Sequence, residues 1–224
     1  MFPDATVRTI ASQWTGDDRQ PGWSFGVTSE QSRFRPRNLI VQLAGAGKEA
    51  ACVVPSGIHL ELQRPYYVAA SVSTADPADR SVTFYVKDLS DNDAPLVVKK
   101  VPHECGGPRT AACAFAIGGR DTGAADAAAG RRGVWDGLID DVRLSAAALD
   151  RADLLWERGA AAGKVVGHWT FEETPGFAAD TSGRGWSLAR GGLTVPPVRD
   201  LRRYEALVDL CHVLFNSSEF LYVE

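Results

Sequence analysis

Trp135-Asp-Gly-Leu-Ile-Asp-Asp-Val-Arg-Leu-Ser-Ala-Ala-Ala-Leu-Asp150 places a strand, a turn and the start of a short helix within sixteen residues. Leu138, Asp140, Val142 and Leu144 alternate with Ile139, Asp141 and Arg143, the period of a β-strand with two distinct faces. Ser145 is positioned to accept from the amides of a following turn, and Leu149, Leu154 and Leu155 give that turn an apolar side. The segment predicts a closing strand followed by a small helix.

Upstream, short β-rich runs recur between turn residues: Gly22 to Val27, Asn38 to Leu43, Ile58 to Leu62, Tyr66 to Val72, Val82 to Val86, Leu96 to Val101 and Ala114 to Gly118. A first strand lies around Thr9 to Trp14. This spacing predicts an all-β antiparallel sandwich. Strict alternation over Ile58-His-Leu-Glu-Leu62 sends His59 and Glu61 outward. Gly118 to Gly133, rich in Gly, Ala and Asp, predicts a long surface loop, and rim loops of this kind commonly carry ligand contacts. Gly45-Ala-Gly-Lys48 lacks the glycine spacing and the following hydroxyl of a phosphate loop, and is expected to be a hairpin turn.

The chain of 224 residues, 45% hydrophobic, suits one sandwich with an extension. Its net charge of −4, from 24 basic and 28 acidic residues, supplies no broad positive field, so neither nucleic acid nor a membrane surface is an expected partner. No run approaches the roughly 18 apolar residues of a bilayer span, and Met1-Phe-Pro-Asp-Ala-Thr6 lacks the features of an export signal.

At Gly137-Leu-Ile-Asp-Asp-Val-Arg143 the chain resembles the laminin-G-like, or concanavalin A-like lectin/glucanase, jelly rolls, in which such a strand precedes a Leu-containing helical turn. Tyr66-Tyr-Val-Ala-Ala-Ser-Val72 is similar to that family's aromatic-x-x-Val-Ala strand, and Val82-Thr-Phe-Tyr-Val86 to its Tyr-Val-Asn-Gly strand. Lys87-Asp88 stands where the family turns through Asn-Gly, which implies a longer loop here. Val165-Val-Gly-His-Trp-Thr-Phe171 and Asp180-Thr-Ser-Gly-Arg-Gly185 resemble the family's opening strand, although they come after the closing one. Either this strand pairs beside an absent N-terminal edge and completes the sheet, or it begins a second module. The first is favoured, because the second leaves Trp169 and Phe171 without a partner face.

Leu207, Leu210, Cys211 and Leu214 lie at helical spacing and predict a short C-terminal helix. The run from Ala206 to Val223 resembles the C-terminus of planctomycete-specific, cytochrome-associated proteins of unknown function. The expected division is 1–158 for the sandwich, without its opening strands; 159–198 for a closing strand and linker; and 199–224 for helix and tail. The resemblance implies that the chain belongs to a longer exported or cell-surface parent.

Chemistry-bearing residues are sparse. Cys52, Cys105, Cys113 and Cys211 fit no zinc spacing. Cys105 and Cys113 flank the turn-rich Gly-Gly-Pro-Arg-Thr, where a disulfide suits an oxidising compartment; free thiols are the alternative. A retaining glycosidase needs two carboxyl groups about 5 Å apart, whereas Asp140 and Asp141 are adjacent and point to opposite faces. They are expected instead to bond loop amides. Calcium could use Asp88, Asp91, Asn92 and Asp93, or Asp121 and Asp126, but neither cluster has a diagnostic pattern and solvated acidic turns are expected. Cys211-His212 lacks the second cysteine of a haem attachment, Val208 standing in its place, and no Gly-x-Ser-x-Gly elbow occurs. The histidines are scattered at 59, 103, 168 and 212. Trp14, Trp23, Trp135, Trp156, Trp169 and Trp186 sit largely within β patterns and are expected to be buried rather than to form a sugar platform.

These observations predict a non-enzymatic recognition module for glycan or protein, with no catalytic, cofactor or metal residues. The alternatives are a divergent glycoside hydrolase and a structural spacer between cytochrome-associated domains.

Overall fold

The computed structural model describes residues 6–45, 51–74, 76–105, 111, 113–121, 133–157, 163–172 and 177–189. Strands β1 (Val7–Gln13), β2 (Gly22–Thr28), β3 (Asn38–Ala44) and β4 (Cys52–His59) pair antiparallel in succession. The short β8 (Ala116–Ile117) pairs with the outer side of β1, giving the order β4-β3-β2-β1-β8. A second antiparallel sheet contains β5 (Tyr66–Ser73), β6 (Ser81–Asp88) and β7 (Val97–Pro102), with β6 in the middle. Two-residue alternation explains the stacking. Val27, Leu39, Val41, Leu43 and Val54 of the first sheet meet Val82, Phe84 and Val86 of the second in one apolar layer. Phe84, fully enclosed there, contributes roughly 2–3 kcal/mol by its burial. The protein is an antiparallel β-sandwich, as the strand pattern predicts.

A disulfide joins the sheets at one edge. Cys105, just beyond β7, is bonded to Cys52 at the start of β4, with Cα atoms 6.0 Å apart, and Cys113 is a free thiol. The expected Cys105–Cys113 bridge is therefore corrected. Proximity in sequence favours that pair, but sheet stacking brings the β4 and β7 edges together and delivers Cys105 to Cys52 instead.

The closing strand is shorter than its alternation predicts. β9 spans Val142–Ser145, and Leu138 is 85% exposed rather than facing the core. Asp140 Oδ1 accepts from the Asp141 amide at 2.9 Å, and Asp141 adopts a left-handed φ of 49°, so local side-chain bonding ends the extended backbone there. Ser145 is the last strand residue and caps no helix. The expected small helix is only a single 3-10 turn, Arg151–Asp153, with Asp150 at its N-terminus and Leu154 buried behind it. Arg143 donates to the Asp153 carbonyl and ties the turn back to β9.

Similarly, β4 ends at His59, so the predicted run to Leu62 stops early and Leu62 is exposed. A register shift opposite Asn38 to Ile40 accommodates Gly57 at φ 68°, which disrupts the alternation. Strand β10 (Val165–Trp169) pairs with β9, not with an N-terminal edge, and β11 (Phe177–Ala178) pairs with β12 (Leu188–Ala189). Trp169 nevertheless has a partner face. Its ring stacks on Phe115 at 5.2 Å, and Phe115 lies 6.0 Å from Trp23 of β2, so an aromatic chain binds this ribbon to the large sheet. The C-terminal helix expected within 199–224, the Gly45–Lys48 turn beyond Gly45, Asp126 and most of the Gly118–Gly133 loop lie outside the described residues.

Candidate functional site

The β2–β3 connection carries Arg33-Phe-Arg-Pro-Arg37, a dense basic run in an acidic chain. Arg35 and Arg37 hold left-handed φ values of 66° and 61°, a conformation costing of order 1 kcal/mol for each side-chain-bearing residue. The surrounding hydrogen bonds maintain it. Thr28 Oγ1 donates to the Arg35 carbonyl at 2.6 Å and accepts from the Asn38 amide at 2.9 Å. Asn38 Nδ2 donates to the Phe34 carbonyl at 2.9 Å, and the Arg37 amide donates to the Thr28 carbonyl at 2.9 Å.

Asn38 also anchors the opposite wall. Its Oδ1 accepts from the Gly57 amide at 2.9 Å and from Ser56 Oγ at 3.2 Å, while Ser56 Oγ accepts from the Ile58 amide at 2.9 Å. Asn38, Thr28 and Ser56 are all buried, so these bonds are sheltered from competing water. His59 Nδ1 lies 2.7 Å from the Pro36 carbonyl, a contact that requires a proton on Nδ1.

Between the two walls is an open cleft of about 320 Å³ lined by Arg33, Phe34, Arg35, Asn38, Gly57 and His59. Arg33 lies over the Phe34 ring at 4.6 Å. Lys99 of β7 brings Nζ to 2.7 Å from the position a Cβ on Gly57 would occupy, adding a cation from the other sheet. Among the described residues no ion pair involves Arg33, Arg35, Arg37, His59 or Lys99. The cleft is thus lined by two guanidinium side chains, Arg33 and Arg35, and by no carboxylate. Sequence reading missed it, although three arginines within five residues were a visible signal. Their convergence with Gly57, His59 and Lys99 depends on sheet pairing and stacking.

The carboxylates are occupied elsewhere. Asp88 Oδ1 accepts from the hydroxyl and amide of Ser90, and Oδ2 from Arg64 at 3.0 Å; the Ser90 bonds foremost pull its pKa down. Asp91 Oδ1 accepts from the Asp93 amide at 2.9 Å. In the same loop the buried Lys87 ammonium donates to the Asp91 and Asn92 carbonyls at 2.6 and 3.0 Å. Two main-chain oxygens of this loop therefore already hold an internal cation. Asp121 Oδ2 accepts from the Ala114 amide at 2.9 Å. Among the described residues no group of three His, Cys, Asp or Glu side chains converges in a metal-binding arrangement.

Asp180 staples its loop to β10. Oδ1 accepts from the amides of His168 and Ser182 at 3.0 and 2.8 Å, and Oδ2 from the Trp186 amide at 3.0 Å. Partial burial alone would raise its pKa, but hydrogen bonds from the Ser182 hydroxyl and these amides together hold the carboxyl well below the usual range. That is the opposite of what a general acid requires.

His168 Nε2 meets Asp141 Oδ1 at 2.6 Å. Among the described residues no Ser, Thr or Cys side chain is hydrogen-bonded to this imidazole, so the pair lacks a coupled nucleophile. Trp14 and Trp169 are buried, Trp23 and Trp135 half-buried, and Trp156 and Trp186 exposed at 39% and 62%. Trp156 packs near Tyr67, whereas Trp186 adjoins Trp169 by accepting from its indole N–H at 2.8 Å. No helix among the described residues is long and apolar enough to cross a membrane. In comparisons with known proteins, no family model, curated protein or solved structure gives a significant match to this chain.

Proposed function

We propose that this chain is a non-enzymatic recognition module of the laminin-G-like kind that holds a glycan at the rim of its sandwich. The carrying observation is the preformed cleft between Arg33–Arg37 and Gly57–His59, whose backbone strain is offset by a buried hydrogen-bond frame. The family-like runs at Tyr66 to Val72, Val82 to Val86 and Gly137 to Arg143 support the family reading. Protein recognition by strand addition needs free backbone donors, but the Gly57 and Ile58 amides beside the cleft are taken by Asn38 and Ser56. That favours a glycan over an extended peptide.

The Cys52–Cys105 bridge supports an extracytoplasmic location. A longer cell-surface parent, with the planctomycete-like tail at its end, is part of the same proposal. A glycan array probed with the purified chain, with and without calcium, tests the reading. Calcium-independent capture on a defined glycan class, without release of reducing sugar, is expected. Hydrolysis of a captured glycan would replace the module with a hydrolase, and an array on which nothing binds would replace it with a spacer.

A further inference from the structure

We infer that the outer edge of β7 docks an extended peptide of another protein, one in which two acidic residues precede two apolar ones, and that this peptide joins the three-stranded sheet as a fourth strand. The inference goes beyond the glycan reading and needs no ligand in the cleft. β7 is the last strand of the order β5-β6-β7, so one side of its main chain has no neighbour in the sheet. The His103 amide donates to the Arg80 carbonyl at 3.1 Å, and hydrogen-bonded pairs of an antiparallel ladder recur at every second residue. Val101, Lys99 and Val97 therefore turn their main-chain groups toward β6, whereas those of Val98 and Lys100 turn outward. Among the described residues no hydrogen bond reaches the outward amide or carbonyl of either residue. The β4 rim differs, because there Asn38 and Ser56 take the Gly57 and Ile58 amides.

The side chains of the edge set the partner's sequence. Residues opposite one another in the ladder share a face, so Val97 and Lys99 lie on the core side with Val86 and Phe84, and Val98 and Lys100 on the other side with Tyr85 and Thr83. Each face thus offers one valine and, two residues on, one lysine. All four are exposed, Val97 at 43% and Val98 at 48%. An antiparallel strand reading acidic, acidic, apolar, apolar sets carboxylates against both lysines and covers both valines. Lys99 has no ion pair among the described residues, and Lys100 meets only the exposed Asp79 there, a bond worth little in water. A second copy of this chain is a poorer occupant, because β7 laid on β7 brings four lysines into one short ladder. Pro102, with no amide to donate, ends the strip.

Fluorescence anisotropy of a labelled, threonine-flanked Glu-Glu-Val-Val peptide tests this. One comparison peptide carries lysines in place of the glutamates. Another is N-methylated at the first glutamate and the first valine, the residues opposite Lys100 and Val98, and so cannot donate to β7. In the protein, Val98→Pro deletes an outward amide while sparing the ladder to β6, a change that edge strands tolerate. Lys99→Glu reverses the free charge. Retained thermal midpoints verify that each variant is folded, and the N-methylated peptide puts the same question to the unaltered protein.

The acidic peptide is expected to bind and to protect the Val98 and Lys100 amides from hydrogen exchange, whereas those of Val97, Lys99 and Val101 are protected without it. Val98→Pro, Lys99→Glu and N-methylation should each weaken binding about tenfold, and rising salt should weaken it as well. Absence of binding, equal binding of the lysine peptide, or indifference to N-methylation or to either substitution overturns the inference. Protection of the same two amides by rising protein concentration alone names a second copy as the occupant and overturns it too. The glycan array bears on none of these outcomes, so the two readings stand or fall separately.

Discussion

The indole of Trp169 covers Gly167 two residues earlier on the same strand: a Cβ at position 167 would lie 2.6 Å from Cζ2 of that ring. The ring is buried, stacked on Phe115 and hydrogen-bonded through its N–H to the Trp186 carbonyl, so it has no room to withdraw. Gly167 thus seats the aromatic chain that fastens the β9–β10 ribbon to the large sheet.

Gly167→Ala should therefore destabilise the protein by about 1–3 kcal/mol through overpacking. Urea unfolding followed by tryptophan fluorescence measures it. A stability equal to wild type would mean that the ring can move aside.

Lys87→Met should cost about 1–3 kcal/mol, because the Asp91 and Asn92 carbonyls lose their donor. Added calcium should leave the thermal midpoint of the wild-type protein unchanged, since that ammonium already holds two main-chain carbonyls of the loop and its positive charge repels a second cation. Differential scanning fluorimetry with calcium or a chelator checks both statements.

Asp180 supplies an acid-dependent contribution. Its folded pKa lies below the unfolded value of about 3.9, so the stabilisation is complete above that value and is lost as pH falls through the folded one. Asp180→Asn should flatten the fall in stability below about pH 4 relative to wild type. Because the group is only half-buried, solvent screening makes the difference modest. Unfolding curves at a series of acid pH values read it out.

Breaking the Cys52–Cys105 bridge, which spans 53 residues of sequence, should cost about 4 kcal/mol on the loop-entropy model. Non-reducing peptide mapping should recover Cys52 joined to Cys105. Burial foremost, with Asp121 nearby, pushes the Cys113 thiol pKa up, so Cys113 should alkylate slowly at neutral pH and faster as pH rises. Recovery of Cys113 in a disulfide with Cys105 would contradict the pairing.

Much of the fold was legible because a strand's two faces are written directly into its residue alternation, as at Val82, Phe84 and Val86. The limits of that reading are equally physical. Leu138 and Leu62 fit an alternating pattern but lie outside their strands, because an Asp140 hydrogen bond with left-handed backbone at Asp141, and the bulge around Gly57, end the alternation. Periodicity contains no term for either effect.

From its residues alone this chain is determined to be a β-rich, weakly acidic protein whose alternating runs must bury one face against another. Tertiary structure decided which cysteine meets Cys105, that β10 lies beside β9, and that Arg33, Arg35, Gly57 and His59 share one cleft. The reason is the range of the forces involved. Alternation and turn chemistry act between near neighbours, whereas these relationships join residues far apart in the chain and exist only once two sheets have stacked.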